Sequence, residues 1–249
     1  MNYKTFYHLN SHKIFFYLFI LAFLCQIFFW KKTEKIIAPF DLVPPAPTKY
    51  LTSALSLGDQ EFLFRLLATR LQNSGDVFAG FVALKNYDYS RIYDWMTALD
   101  RLNAKSSFVP ALASYYYAQT QKHEDNKYIV KYLDEHSSKN IDDDWWWMMQ
   151  AALIAKSSLK DLNLAASLAE KISLSNNPNI PFLAKNMPAF IRAQLGDHCL
   201  LFHLIEGLIK ENKNQNREIS SEELNLTRFF IAKRLDELKK AKFNPAKCH

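Results

Sequence analysis

The sequence predicts an all-α protein: a short α-solenoid of antiparallel helix hairpins behind a single N-terminal transmembrane helix. Three observations carry this. Ile14–Trp30, IFFYLFILAFLCQIFFW, is an apolar run of 17 residues with no charge. Beyond residue 50, apolar residues recur at helical spacing, and turns fall near residues 58, 88, 125, 160 and 196. A period of about 35 residues marks stacked helical hairpins. With 5 Gly and 9 Pro in 249 residues, the chain also lacks the punctuation that a many-stranded β fold requires.

The N-terminus divides into a tail (1–13), the apolar span (14–30) and a Pro-rich linker (31–50). As a helix the span reaches roughly 25 Å, near the lower limit for crossing a bilayer. The FFWKKTEK that closes it places bulky and charged residues where a signal peptidase requires small ones, so an uncleaved anchor is expected. Trp30, Lys31 and Lys32 suit an interfacial end. The orientation reads two ways. Lys4 and Lys13 precede the span, while Lys31, Lys32, Lys35 and Lys49 follow it, which by the positive-inside rule keeps the body in the cytoplasm. A charged segment before an early apolar run is the usual signal-anchor layout, which exports the body, and export is the side we favour. Ala38–Thr48, APFDLVPPAPT, reads as a stiff, extended linker.

The net charge of +6 is unevenly spread. Residues 1–50 carry +4, residues 51–209 carry −2 and residues 210–249 carry +4. The body is slightly acidic, whereas nucleic-acid binding calls for a basic stripe on it, so no nucleic-acid partner is expected. Cys25, Cys199 and Cys248 are odd in number and widely separated, which predicts neither a disulfide framework nor a CxxC metal site. Cys199 is expected in the core.

Residues 51–210 carry the hairpins. Leu57-Gly58-Asp59 reads as a helix stop followed by an N-cap, after which Phe62, Leu63, Leu66, Leu67 and Leu71 fall at helical spacing. Asn73–Lys85 reads as a longer loop or a short helix. Tyr87-Asp88-Tyr89 opens a helix with Ile92, Trp95, Met96 and Leu99 on one face. Pro110 fits a first turn, Tyr115–Tyr117 follow, and KHEDN (122–126) turns the chain into a helix with Ile129, Tyr132 and Leu133 apolar. Asp142–Asp144 suit a helix N-terminus. Trp145, Met149, Ala152 and Ala155 share a face, and Leu162, Ala165, Ala169 and Ile172 make the facing stripe. Pro188 is expected to split or kink the helix over 181–194. In 211–249 a polar loop leads to a capping box, Ser220 with Glu223, and to a basic amphipathic helix lined by Leu224, Ile231, Leu235 and Leu238.

The unit at 145–178 resembles the tetratricopeptide repeat (TPR). LKDLNLA at Leu159–Ala165 and, less fully, LGDHCLL at Leu195–Leu201 follow that family's L-G-D-Y-x-x-A turn. Trp145–Trp147 supply an aromatic near the first helix start, and Pro178 closes the unit one residue late. The small residue of the first helix is out of register, and Ala169 stands where a bulky residue is usual. The resemblance implies a concave surface formed by the first helices of the pairs and suited to a peptide or partner helix.

No catalytic set is evident. Gly75 and Gly80 have phosphate-loop spacing, but Phe81-Val82 replace the Lys-Ser/Thr such a loop needs. His123-Glu124 opens like a zinc-protease helix, yet no second His follows. Cys199 and His203 form at most a metal edge without a third ligand, and Asp142–Asp144 read as helix-terminal charges. Neither a metal nor a cofactor is therefore expected. Three adjacent aromatics cover about 200° of a helix, too much for one core face. Either both sides of the helix are packed, the reading we favour for the Tyr115–Tyr117 and Trp145–Trp147 triplets, or a ring is exposed for binding. The expected function is a membrane-anchored, non-catalytic scaffold for a protein partner, with Tyr116, Trp146 and Met149 as contact residues. The alternatives are an envelope or cell-wall-processing enzyme on a helical scaffold and a structural subunit of a membrane complex.

Overall fold

The computed structural model describes residues 3–33, 42–77, 80–196, 198–199, 202–203, 205–206, 221–240 and 248. The chain falls into two compact units, Met1–Asp41 and Leu42–His249. The first is built on one helix, α1 (Tyr3–Thr33), which extends through most of the expected tail. Within α1, Lys13–Lys32 is long and apolar enough to cross a membrane.

The second unit is helical. Its elements are α2 (Lys49–Leu55), α3 (Gln60–Gln72), α4 (Tyr89–Leu102), α5 (Phe108–Tyr115), α6 (Asn126–Ser137), α7 (Ile141–Ser157), α8 (Leu162–Ser173), α9 (Phe182–Lys185), α10 (Met187–Gln194) and α11 (Ser221–Lys240). Short turns at 138–140 and 158–161 fold α6, α7 and α8 back on one another. Helices pack in succession: α3 on α4, α4 on α6, α6 on α7, α7 on α8, and α8 on α10. One core runs the length of this series, from Val43 to Ile191. A small satellite cluster of Phe190, Ala193, Ile205 and Leu238 joins α10 and α11 among the described residues.

The turns share a conformation as well as a spacing. Gly58 and Gly196 have φ of 92° and 96°, and Lys160, at the same motif position, has φ of 57°. The aspartate that follows caps the next helix: Asp59 Oδ1 accepts from Phe62 N and Asp161 Oδ1 from Leu164 N, both at 2.9 Å. The third of these aspartates, Asp197, and the Ser220 capping box lie outside the described residues. A left-handed lysine is strained by roughly 1 kcal/mol, because its Cβ crowds the following carbonyl. Lys160→Gly therefore raises the unfolding free energy by about 1 kcal/mol, and Lys160→Val lowers it. Denaturant titration of the full-length protein in detergent reads both changes.

Several expectations shift. Asn73–Lys85 is neither an open loop nor a helix. It holds an antiparallel pair of two-residue strands, β1 (Asp76–Val77) and β2 (Gly80–Phe81), followed by a 3-10 turn at Leu84–Asn86. Gly75 has a packing reason: a Cβ there would come within 1.8 Å of Tyr87 Oη, whose hydroxyl donates to the Ser74 carbonyl at 2.5 Å. The linker's second part belongs to the body. Val43 is buried, its carbonyl accepts from Arg91 Nη1 at 2.9 Å, and the Pro44 carbonyl accepts from Trp95 Nε1 at 2.7 Å. Pro188 divides 181–194 into α9 and α10, sitting in the first turn of α10, where its missing N–H costs nothing.

The core stripe of α7 is rotated from the expected one. Met148, Ala151, Ala152, Ile154 and Ala155 are buried, whereas Trp145 and Met149 sit at its margin. On α3, Leu63, Phe64, Leu67, Ala68 and Leu71 are buried, while Phe62 and Leu66 face solvent. On α11, Leu238 is buried and Ile231 partly so, while Leu235 is exposed. Leu224's side chain lies outside the described set. The largest revision concerns the cysteines: Cys199 and Cys248 form a disulfide across 49 residues, with Cα atoms 5.3 Å apart. Odd number and wide spacing do not forbid a single bridge, because folding supplies the proximity that sequence distance hides.

Candidate partner-binding groove

The helices place the two aromatic triplets side by side. In the first, Tyr117 points into the core, its hydroxyl donating to the Leu71 carbonyl at 2.7 Å, while Tyr115 and Tyr116 are exposed. Burial drives the Tyr117 phenol far above its ordinary pKa. In the second, Trp145 and Trp147 pack against the core margin and Trp146 is exposed. Complete interior packing therefore does not hold: Trp146 faces out, as 100° per residue on α7 requires, and Tyr115 and Tyr116 face out where α5 ends and Tyr117 enters a 3-10 turn. The triplets touch, with Trp146 Nε1 donating to Tyr115 Oη at 2.9 Å and the Tyr115 ring meeting Trp147 edge-on at 6.1 Å. Tyr116 leans on Tyr117 with ring centroids 5.0 Å apart.

Beside this aromatic face runs a groove of about 390 Å³, within the range of sites that hold ligands. One wall comes from α5 and the turns after it: Ser114, Tyr115, Ala118, Gln119, Thr120 and His123. The other comes from α7: Gln150, Leu153, Ile154, Ser157 and Ser158. Trp146, Gln150, Leu153 and Ser157 recur at intervals of four, three and four, so they form one ridge of α7. Among the described residues the lining holds no ionisable side chain other than His123 and the Tyr115 phenol. Ser114, in the lining of the groove, is buried, and its hydroxyl has no hydrogen-bond partner among the described residues.

The far end of the groove is held by a short network. Asn126 Nδ2 donates to Ser158 Oγ at 2.6 Å and to the Ala118 carbonyl at 3.1 Å, and Ser158 Oγ lies 3.2 Å from His123 Nδ1. A serine beside a histidine invites a nucleophile reading. Here no carboxylate orients His123 among the described residues. The pair pins the 3-10 turn His123–Asp125 to the end of α7.

Of the expected contact residues, Tyr116 and Trp146 are exposed on the aromatic face and Met149 is half-buried against the core. Sequence reasoning missed Tyr115, Gln150 and Leu153. The signal was available: 146, 150, 153 and 157 share a helix face once the core stripe is placed on 148, 151, 152 and 155.

The acidic run does less capping than expected. Asp142 reaches across to the loop after α8, accepting from Ser175 Oγ at 2.5 Å and Asn176 N at 3.0 Å. Those bonds hold its carboxyl below the ordinary range. Asp144 faces His136 Nε2 at 3.8 Å, and burial pushes its carboxyl up, the imidazole pulling the other way. His136 and Asp100 are buried, with His136 Nδ1–H donating to Asp100 Oδ2 at 2.7 Å and Tyr132 Oη to Asp100 Oδ1 at 2.8 Å. Lys139 Nζ completes the charge 3.5 Å away. This network joins α4, α6 and α7 inside the body.

Among the described residues no cluster of His, Cys, Asp and Glu could hold a metal. Cys199 is consumed by its disulfide, and His203 Nε2 lies 3.3 Å from the Cys248 carbonyl. Comparison of the chain with protein-family models, with curated proteins and with solved structures yields no match.

Proposed function

We propose that the protein is a membrane-anchored, non-catalytic scaffold whose TPR-like body holds a protein partner in the groove between α5 and α7, on the exported side of the membrane. The observation that carries this is the groove itself, an aromatic-flanked cleft between the first helices of two successive hairpins. An extended segment laid along it meets apolar surface from Leu153 and Ile154, and amide and hydroxyl groups from Gln119, Gln150 and Ser157 for its backbone. The TPR-like reading draws its support from the turn. Gly58, Lys160 and Gly196 take the same left-handed conformation, and an aspartate follows each.

The exported side draws support from the Cys199–Cys248 disulfide, since such bonds persist in oxidising compartments and are rare in reducing ones. A non-catalytic role agrees with the chemistry present. Asp100 and Asp144 converge on a histidine sealed inside the body, and among the described residues no acid orients the His123–Ser158 pair.

The test is recovery of a partner from solubilised native membranes by the tagged full-length protein. A specific protein is expected to co-purify, and Trp146→Ala or Leu153→Asp to reduce its recovery by roughly tenfold or more, as loss of a central contact does. Recovery of no protein in repeated trials, or equal recovery by both variants, contradicts the assignment.

A further inference from the structure

The second unit begins with a surface that its own core leaves uncovered. On α3, Phe62 and Leu66 are 65% and 56% exposed, one turn apart on the side away from Leu63, Leu67 and Leu71. On α2, Leu51 and Leu55 form a second exposed pair at the same spacing. Leu57 in the turn between the helices is 93% exposed and Tyr50 at the start of α2 is 88% exposed. Large apolar side chains scattered singly on a surface need no explanation, but six within seventeen positions of one hairpin do. Lys49, Arg65 and Arg70 belong to the same hairpin, as do Asp59 and Glu61, and Arg65 Nε pairs with Glu61 Oε1 at 2.8 Å.

We infer that the α2–α3 hairpin is an interfacial element that lays its apolar side chains into the headgroup region of the bilayer. This rests on the reading of α1 as a membrane anchor. Only eight residues, 34–41, separate the end of α1 from the first residue of the second unit, so the bilayer is present at this hairpin at high effective concentration. The composition is that of interfacial segments: leucine and phenylalanine for the acyl boundary, a tyrosine at headgroup depth, and cations beside them for anionic lipid. A second copy of the chain or another protein is the competing occupant. The short tether to α1 favours lipid.

The test places a photoreactive benzoylphenylalanine singly at Phe62, Leu66, Phe19 or Leu174 of the full-length protein in vesicles of phosphatidylethanolamine and phosphatidylglycerol. Phe19 lies within α1, and Leu174, 78% exposed, lies in the turn after α8. Lipid adducts are expected at Phe19, Phe62 and Leu66, several-fold above those at Leu174, and Leu66→Asp is expected to cut the adducts at Phe62 several-fold. Adducts at Phe19 with none at Phe62 and Leu66 overturn the inference and leave the anchor intact. Protein adducts at Phe62 and Leu66 overturn it in favour of a protein occupant. Absence of lipid adducts at Phe19 overturns the anchor reading and the inference together.

Discussion

Asp100→Ala lowers the unfolding free energy of the body by about 3–5 kcal/mol, the cost of breaking a buried charged network by removing one partner. Asp100 accepts from Tyr132 Oη and His136 Nδ1 at 2.8 and 2.7 Å, and all three residues are buried. Without the carboxylate, two buried donors lose their acceptor, and neither can turn to water. The network ties α4, through Asp100, to α6, through Tyr132 and His136, and its far side reaches α7 through Asp144. Loss of the aspartate therefore loosens three helices that pack in succession, α4, α6 and α7. Asp100→Asn keeps an acceptor for Tyr132 and costs less. Denaturant unfolding of the full-length protein in detergent, followed by near-ultraviolet circular dichroism, reads the difference. A change within about 0.5 kcal/mol for Asp100→Ala, the size of a surface substitution, contradicts this account of the core.

The second large effect belongs to the disulfide. Replacing Cys199 and Cys248 together by serine removes a link across 49 residues, worth about 4 kcal/mol by the loop-entropy relation. The loss is regional. Among the described residues, a small satellite cluster of Phe190, Ala193, Ile205 and Leu238 otherwise holds the C-terminal part, while the main core from Val43 to Ile191 does not involve the bridge. Limited proteolysis is expected to cut the double variant after residue 200 at protease levels that leave the parent intact, with the fragment containing α3 to α8 surviving in both. Simultaneous loss of the whole body would place the bridge within one cooperative unit instead. Reduction of the parent protein should reproduce the variant's pattern.

Much of the architecture was legible because the helix stripes are clean. Ile92, Trp95, Met96 and Leu99 on α4, and Ile129, Tyr132 and Leu133 on α6, are buried where helical spacing puts them. The turns were legible too, since Leu-Gly-Asp and Leu-Lys-Asp carry both the chain reversal and the next cap. What failed were features that depend on distant neighbours. On α3, both flanks of the helix are apolar, so periodicity alone could not tell Phe64 from Phe62 or Leu66. On α7, the tryptophans drew the inferred stripe toward Trp145 and Met149, while the small Ala151 and the unbranched Met148 fill the close-packed side. His136 and Asp100 lie 36 positions apart, with nothing local to pair them. Cys199 and Cys248 are brought together only by the fold. The groove was half legible: Tyr116 and Trp146 were named from helix position, but its wall of Gln150 and Leu153 appears only when the core face of α7 is fixed.

The groove between α5 and α7 is tested most directly from inside it. A benzoylphenylalanine at Leu153, on the ridge of α7 that lines the groove, reports in living cells whether a partner lies there. Irradiation of cells that carry the full-length protein is expected to give a discrete higher-mass protein adduct from Leu153, and none from the same probe at Leu174. An unchanged protein at Leu153, or adducts of equal yield at Leu174, would contradict the assignment of this groove as the binding site.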